Sequence, residues 1–249
     1  VAGKVSTSGL PWWAAASDKS AKRLYPWIRK HRRQEPQMPT TLPTNYIMAL
    51  LSVSAKVMKG VKKGYWTGVM YLAPATEAGY NVCEGQSGGC ATACLGHSTG
   101  QLTGEIQQTR RIRRTLHHLL FPRSFAGQII QEIGMFRAHA FAVGLKPAIR
   151  LNGSSDIAWE RSENGAIPQQ FPDTQFYDYT KLTFAERAGA FRLRLPNGRY
   201  QYHLTFSWSE RPDALANSLE YLEAGGNVAV VVGAQGVYVS DSYYYTPDE

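Results

Sequence analysis

Residues 147–156 read PAIRLNGSSD, and this stretch decides the fold. Pro147–Leu151 has the apolar character of a buried strand, and it exits into the small polar residues Asn152, Gly153, Ser154, Ser155 and Asp156. The same outline recurs downstream. Phe176–Thr180 is a strand that ends at Asp178, Tyr179, Thr180 and Lys181. Tyr202–Ser207 is another, and it runs out into Ser207, Ser209 and Glu210. Upstream, Tyr65–Ala73 is rich in aromatic and β-branched residues. Downstream, Asn227–Val232 is an apolar run of the buried parallel type, and Val237–Ser240 adds one more strand.

Helical patterns fill the intervals. A basic helix is expected from Gly104 to Leu120, stopped by Pro122. A second runs to Val143, capped by Ser124, with Phe125, Ile129, Ile133, Phe136 and Ala140 at spacings of three and four. Shorter helices are expected near Pro168, at Phe184–Ala190 and at Pro212–Glu223. Repeated strand–helix units imply a parallel sheet with right-handed crossovers. Six strands are too few for a closed eight-stranded barrel. The expected fold is therefore α/β: a partial (β/α) barrel of about six parallel strands over residues 64–249, with an open Rossmann-like sheet as the runner-up. No G-x-G-x-x-G motif follows a strand, which weakens that runner-up.

Residues 1–63 read differently. Pro26, Pro36, Pro39 and Pro43 break them up, which suggests a basic N-terminal extension, with a short helix at 46–58 that places Ile47, Leu50, Leu51 and Val57 on one side. Lys19–Arg33 holds seven basic residues and no acid, and Arg110, Arg111, Arg113 and Arg114 form a second basic run. The chain of 249 residues carries a formal charge of +8, which favours acidic partners such as nucleic acid or a nucleotide substrate. A composition of 43% hydrophobic and 18% charged residues excludes collagen-like, low-complexity and disordered classes. No stretch is long and apolar enough for a membrane span, and the N-terminus shows no signal-peptide core, so the expectation is cytoplasmic.

In folds of this class, chemistry collects at the carboxyl ends of the strands. Asp156, Lys181 and Glu210 are the candidate catalytic groups there. Asn152, Gly153, Ser155, Tyr179, Ser207 and Ser209 are the candidate cofactor contacts. The loop after the first strand carries Cys83, Cys90 and Cys94 in the spacing C-x6-C-x3-C. Three clustered cysteines make a poor disulfide framework and a good soft-metal site. One reading is a [4Fe–4S] cluster with three protein thiolates. The other is Zn2+ with His97 as a fourth ligand, since Cys94 and His97 form C-x2-H. His117, His118 and His139 read as structural, and Glu186 and Arg187 as helix surface. His203, which alternates with Thr205 and Ser207, is a candidate for the barrel lumen.

The segments GYNVC, GCATACL, PAIRLNGSSDIAWE, FPDTQFYDYTK, YHLTFSWSE and GGNVAVVV occur in order over residues 79–232. Together they resemble the phage and mobile-element family called gene product 88, whose function is not established. More distantly, the chain is similar to radical S-adenosylmethionine enzymes, in which a cysteine loop follows the first strand of a partial barrel. The family resemblance carries its cysteines onto Cys83, Cys90 and Cys94, and its RLNG-SD motif onto Arg150, Leu151, Asn152, Gly153, Ser155 and Asp156. Its YTK motif falls on Tyr179, Thr180 and Lys181. The spacing differs from the C-x3-C-x2-C of radical enzymes. An acidic turn expected near the C-terminus is represented only by Asp241. The resemblance implies an iron–sulfur protein whose cluster anchors S-adenosylmethionine for radical chemistry. The reading from another class is a nucleic-acid-binding phage or plasmid protein that uses Lys19–Arg33 and Arg110–Arg114, with a structural zinc. A third is an assembly component whose basic arm meets a packaged genome.

Overall fold

The computed structural model describes residues 49–52, 57–94, 96 and 104–230. The basic run 19–33, His97, the Val237–Ser240 strand and Asp241 lie outside the described residues. A six-stranded sheet runs in the order β1-β2-β3-β4-β5-β6. Its strands are β1 (Leu51–Ser52), β2 (Tyr65–Met70), β3 (Lys146–Arg150), β4 (Gln175–Thr180), β5 (Tyr202–Ser207) and β6 (Asn227–Ala229). From β2 to β6 every neighbour is parallel and next in sequence, as expected from the repeated strand–helix units. β1 is antiparallel to β2 and pairs with no other strand, and the sheet is not closed among the described residues.

β1 corrects the helix expected at 46–58. Leu51 and Ser52 are extended, and the backbone N–H groups of Leu50 and Leu51 donate to the Glu132 carboxylate at 2.8–2.9 Å. A 3-10 helix at Val57–Lys63 then leads into β2. The sheet thus begins before residue 64, inside the segment expected to be an arm.

The helices are α1 (Gly88–Thr92), α2 (Glu105–Leu120), α3 (Pro122–Ala142), α4 (Phe184–Arg187) and α5 (Ala214–Glu223). Pro122 does more than stop α2. It occupies the first turn of α3, where its missing N–H is no loss, and Phe121 rather than Ser124 is the N-cap. The Ser124 hydroxyl instead meets His117 Nε2 at 3.2 Å. Phe125, Ile129 and Ile133 of α3 are buried in one cluster with Ile149, Phe176, Tyr202, Leu204 and Phe206 of the sheet and Tyr221 of α5. Register pairs Ile149 with Phe176 and Phe176 with Tyr202, so α3 and α5 cover the same face. Alternate residues on the opposite face, Arg150, Tyr177, Tyr179, His203, Thr205 and Ser207, are only partly covered or exposed. No helix among the described residues is long and apolar enough to cross a membrane.

Candidate functional site

Parallel strands that are neighbours in sequence bring all their carboxyl ends to one edge. The segment from Val82 to Cys94 is fastened across that edge at three points. First, it pairs with the exit of β3: Cys83 bridges Asp156, and Asp156 N–H donates to the Val82 carbonyl at 2.8 Å. Second, Gly85 lies on the exit of β4. A Cβ there would stand 2.6 Å from the Lys181 carbonyl carbon and 2.8 Å from Leu182 N, so only glycine allows the approach. Third, Glu210 beyond β5 accepts from the Ser87 hydroxyl at 2.8 Å and from Gly89 N–H at 2.7 Å. Ser87 in turn caps α1 by accepting from Cys90 N–H. The Glu210 carboxyl is held below its ordinary value, mainly by the Gly89 N–H and then by its own backbone N–H and the Ser87 hydroxyl. Its geometry makes it the tether of the cysteine loop.

None of the three cysteines is in a disulfide, and each is half-buried. Burial pushes Cys83 up to about 12. The Ala75 N–H, 3.4 Å from its sulfur, opposes that rise, while Asp156, Cys94 and Cys90 add to it. Ala75 holds that position in the left-handed region, with φ 48°. Cys90 is also raised by burial, against the pull of the Lys181 ammonium. The thiols are therefore near enough to influence one another. Among the described residues, however, no three His, Cys, Asp or Glu side chains gather at metal-binding spacing. What fits a soft metal is the chemistry of the donor set, three thiols on one loop.

Beneath the loop lies a buried charged network. Arg187 of α4 is fully buried, not on the helix surface as expected from sequence. It donates to both Glu160 oxygens at 2.8 and 3.2 Å, and its Nη1 stands 3.5 Å from Asp156 Oδ1. The signal was present: a Thr183–Glu186 capping box fixes the helix start, and Phe184 three residues earlier points the same face inward. Burial raises Asp156 above its ordinary value, opposed chiefly by Arg187. The other oxygen of Asp156 accepts from Lys181 N–H at 2.7 Å. The Lys181 ammonium donates to the Ser207 carbonyl, the Ser207 hydroxyl and the Trp208 carbonyl at 3.0–3.1 Å, tying the exits of β4 and β5 together.

The candidate cofactor contacts divide. Asn152 is buried, and its Oδ1 accepts from Ser155, Ile157 N–H and the Trp159 indole, all at 3.0 Å. Its Nδ2 donates to the Ile157 carbonyl and Asp178. Asn152 and Ser155 thus shape the turn itself. Gly153 is a packing requirement, because a Cβ would stand 2.5 Å from the Met70 carbonyl. Tyr179 is exposed with the Arg150 guanidinium 5.2 Å from its ring centroid, Ser207 is half-buried and bonded to Lys181, and Ser209 is half-buried. Arg150 also has the carboxylate partner its position demands, Asp178 at 3.7 Å. His203 lies half-buried on the open face, 3.4 Å from Asn227.

The Arg110–Arg114 run is not a free basic face. Arg111 is buried against the Gly96 carbonyl, and Arg114 donates to the Ala49 and Tyr71 carbonyls. Arg110 is exposed.

The gene product 88 family model matches residues 48–241. The chain belongs to the gene product 88 family. The match starts where the described sheet starts, so the family region includes β1 as well as the strand exits and the cysteine loop. No curated protein and no solved structure matches the chain.

Proposed function

We propose that this gene product 88 protein is an iron–sulfur protein of a phage or mobile element, with Cys83, Cys90 and Cys94 as the thiolate ligands of a [4Fe–4S] cluster. The observation that carries the reading is the attachment of the cysteine loop to three successive strand exits, at Asp156, Lys181 and Glu210. In this reading the sheet is the open part of a (β/α) barrel, and its carboxyl edge is the working edge. Bound there, the cluster supplies one-electron transfer.

The chain's own residues do the rest. Glu210 fixes the start of α1 and so the position of Cys90. Asp156 holds the Cys83 strand segment through backbone pairing. Lys181 places a positive charge within reach of Cys90, which favours the thiolate. Ligand thiols must lose their protons when metal binds, so loop ordering and metal uptake are coupled. Asn152 and Ser155 are engaged in their own turn, which gives S-adenosylmethionine contacts at these residues no support.

The test is anaerobic purification followed by iron, sulfide and zinc analysis and a visible absorption spectrum. The expected result is about four irons and four sulfides per chain, lost in Cys90→Ala. One zinc per chain without colour overturns the cluster and leaves a structural zinc site. The inward turn of Arg111 and Arg114 gives the nucleic-acid reading no support from α2.

A further inference from the structure

Beside the cysteine loop, on the side toward α2, is a cleft of about 200 Å³ that the metal reading does not use. Its walls come from four parts of the chain: the start of the cysteine loop, the loop after β3, α2, and Leu182 after β4. His118 of α2 forms one boundary. Its ring is held between Phe125 and Trp159, with centroids 5.0 and 5.1 Å away, and it has no hydrogen-bond partner among the described residues. Burial keeps this imidazole neutral, with its pKa lowered to about 4. It is an oriented polar group without a structural hydrogen bond, facing a cleft.

Asp156 also lines the cleft, its carboxylate facing Arg187 and accepting from Lys181 N–H; the other polar groups sort by charge. Glu84 brings a carboxylate that has no hydrogen-bond or ion-pair partner among the described residues. Arg161 brings a guanidinium that the Glu186 carbonyl anchors through Nη2 at 2.7 Å. The Asn81 oxygen is engaged by Cys83 N–H, which leaves its amide N–H groups to donate. The Asn164 amide nitrogen is engaged by the Ala158 carbonyl, which leaves its oxygen to accept. The cleft therefore carries a cationic donor with an amide donor, an anionic acceptor with an amide acceptor, and a neutral imidazole. Tyr80, partly exposed, adds an aromatic wall.

A cation does not suit this set, because no three carboxylate, imidazole or thiol groups gather at ligating spacing among the described residues. A phosphate does not suit it either, because Glu84 opposes an anion. A small zwitterion suits both kinds of group. The volume equals about seven waters at ~30 Å³ each, the size of a small ligand or a head group.

We propose that this cleft binds a free α-amino acid by its head group, with Arg161 and Asn81 on the carboxylate and Glu84 and Asn164 on the ammonium. The inference does not depend on the metal centre.

The test uses the full chain and isothermal titration with each of the common L-amino acids, then with the N-acetyl and amide derivatives of any that bind. The expected result is saturable binding of at least one amino acid, weakened tenfold or more by acetylation and by amidation. Glu84→Gln and Arg161→Gln should each weaken the free amino acid by a similar factor while thermal melting by circular dichroism still shows a folded chain. Absence of saturable binding for every amino acid overturns the proposal. So does binding that survives both acetylation and amidation, or binding that both folded variants leave unchanged. The derivative series needs no variant, so it decides the matter even if a substitution prevents folding.

Discussion

Asn152 and Asp178 show how single residues in this protein are committed to the fold before they are available to a ligand. Asp178 receives the Asn152 backbone N–H at 2.8 Å and the Tyr202 hydroxyl at 2.7 Å, and Arg150 stands beside it. Burial nevertheless raises Asp178 to about 6. The folded state therefore holds its proton more tightly than the unfolded state, and its contribution to stability grows as pH falls from about 6 toward the ordinary carboxyl range. His117 and His118 work in the other direction. Burial lowers both to about 4, with His118 further depressing His117. The folded state then binds fewer protons than the unfolded state between about 4 and 6.5, so these residues lose stability for the fold as pH falls through that window. Two imidazoles against one carboxyl give a net loss on acidification. A proton–carbon NMR titration should find both imidazoles neutral at pH 5.5, and Asp178→Asn should steepen the loss of stability between pH 6.5 and 4. Histidine midpoints near 6.5 would show that the rings are not desolvated as described.

At the scale of elements, the cysteine loop depends on close approach rather than on its own secondary structure. α1 has only five residues, too short to be stable alone. It is held by Ser87, by Glu210 and by the contact of Gly85 with the Lys181–Leu182 backbone. Gly85→Ala should lift this loop from the β4 exit, because rigid backbone lies where the methyl group would go. Hydrogen exchange should then rise over 82–92 and stay unchanged in α3 and β5; protection retained at 82–92 would mean that Gly85 is not the point of attachment. The loop also marks where the sequence was legible. β2 to β6, α2, α3 and α5 were readable because apolar spacing follows burial, and burial is what the sheet and its helices do. The three cysteines of this loop stand out by residue chemistry, but among the described residues they do not gather at metal-binding spacing. β1 was not readable, because Leu50 and Leu51 fit one side of a helix as well as they fit a strand. Their pairing depends on β2 and on Glu132, which is 81 or 82 residues away. The inward turn of Arg111 and Arg114 was hidden for the same reason: their partners, the Glu77 carboxylate and the Gly96, Ala49 and Tyr71 carbonyls, lie outside the helix.

For the whole molecule, the carboxyl edge is held together by charge buried under the loop. Arg187 follows β4, Asp156 and Glu160 follow β3, and the Tyr202 ring of β5 lies 5.3 Å from the guanidinium. One arginine thus joins three consecutive strand–loop units, and through Asp156 it also supports the pairing with Cys83. Such a network is not itself a large source of stability, since a buried ion pair is offset by the cost of removing its charges from water. Removing one member is a different matter, because the remaining charges stay buried without compensation. Arg187→Met should therefore lower unfolding free energy by about 3–5 kcal/mol in urea titration. Replacing the partners as well, in Arg187→Met with Glu160→Gln and Asp156→Asn, should restore much of that loss, because no uncompensated charge remains. A cost below about 1 kcal/mol for the single variant would be that of a surface pair and would contradict this burial. If the triple variant recovers stability yet fails to hold the metal in the assay of the cysteine centre, the network has a task beyond holding the fold. It then sets the position of the Cys83 segment over the strand ends, which uncharged replacements of similar size do not reproduce.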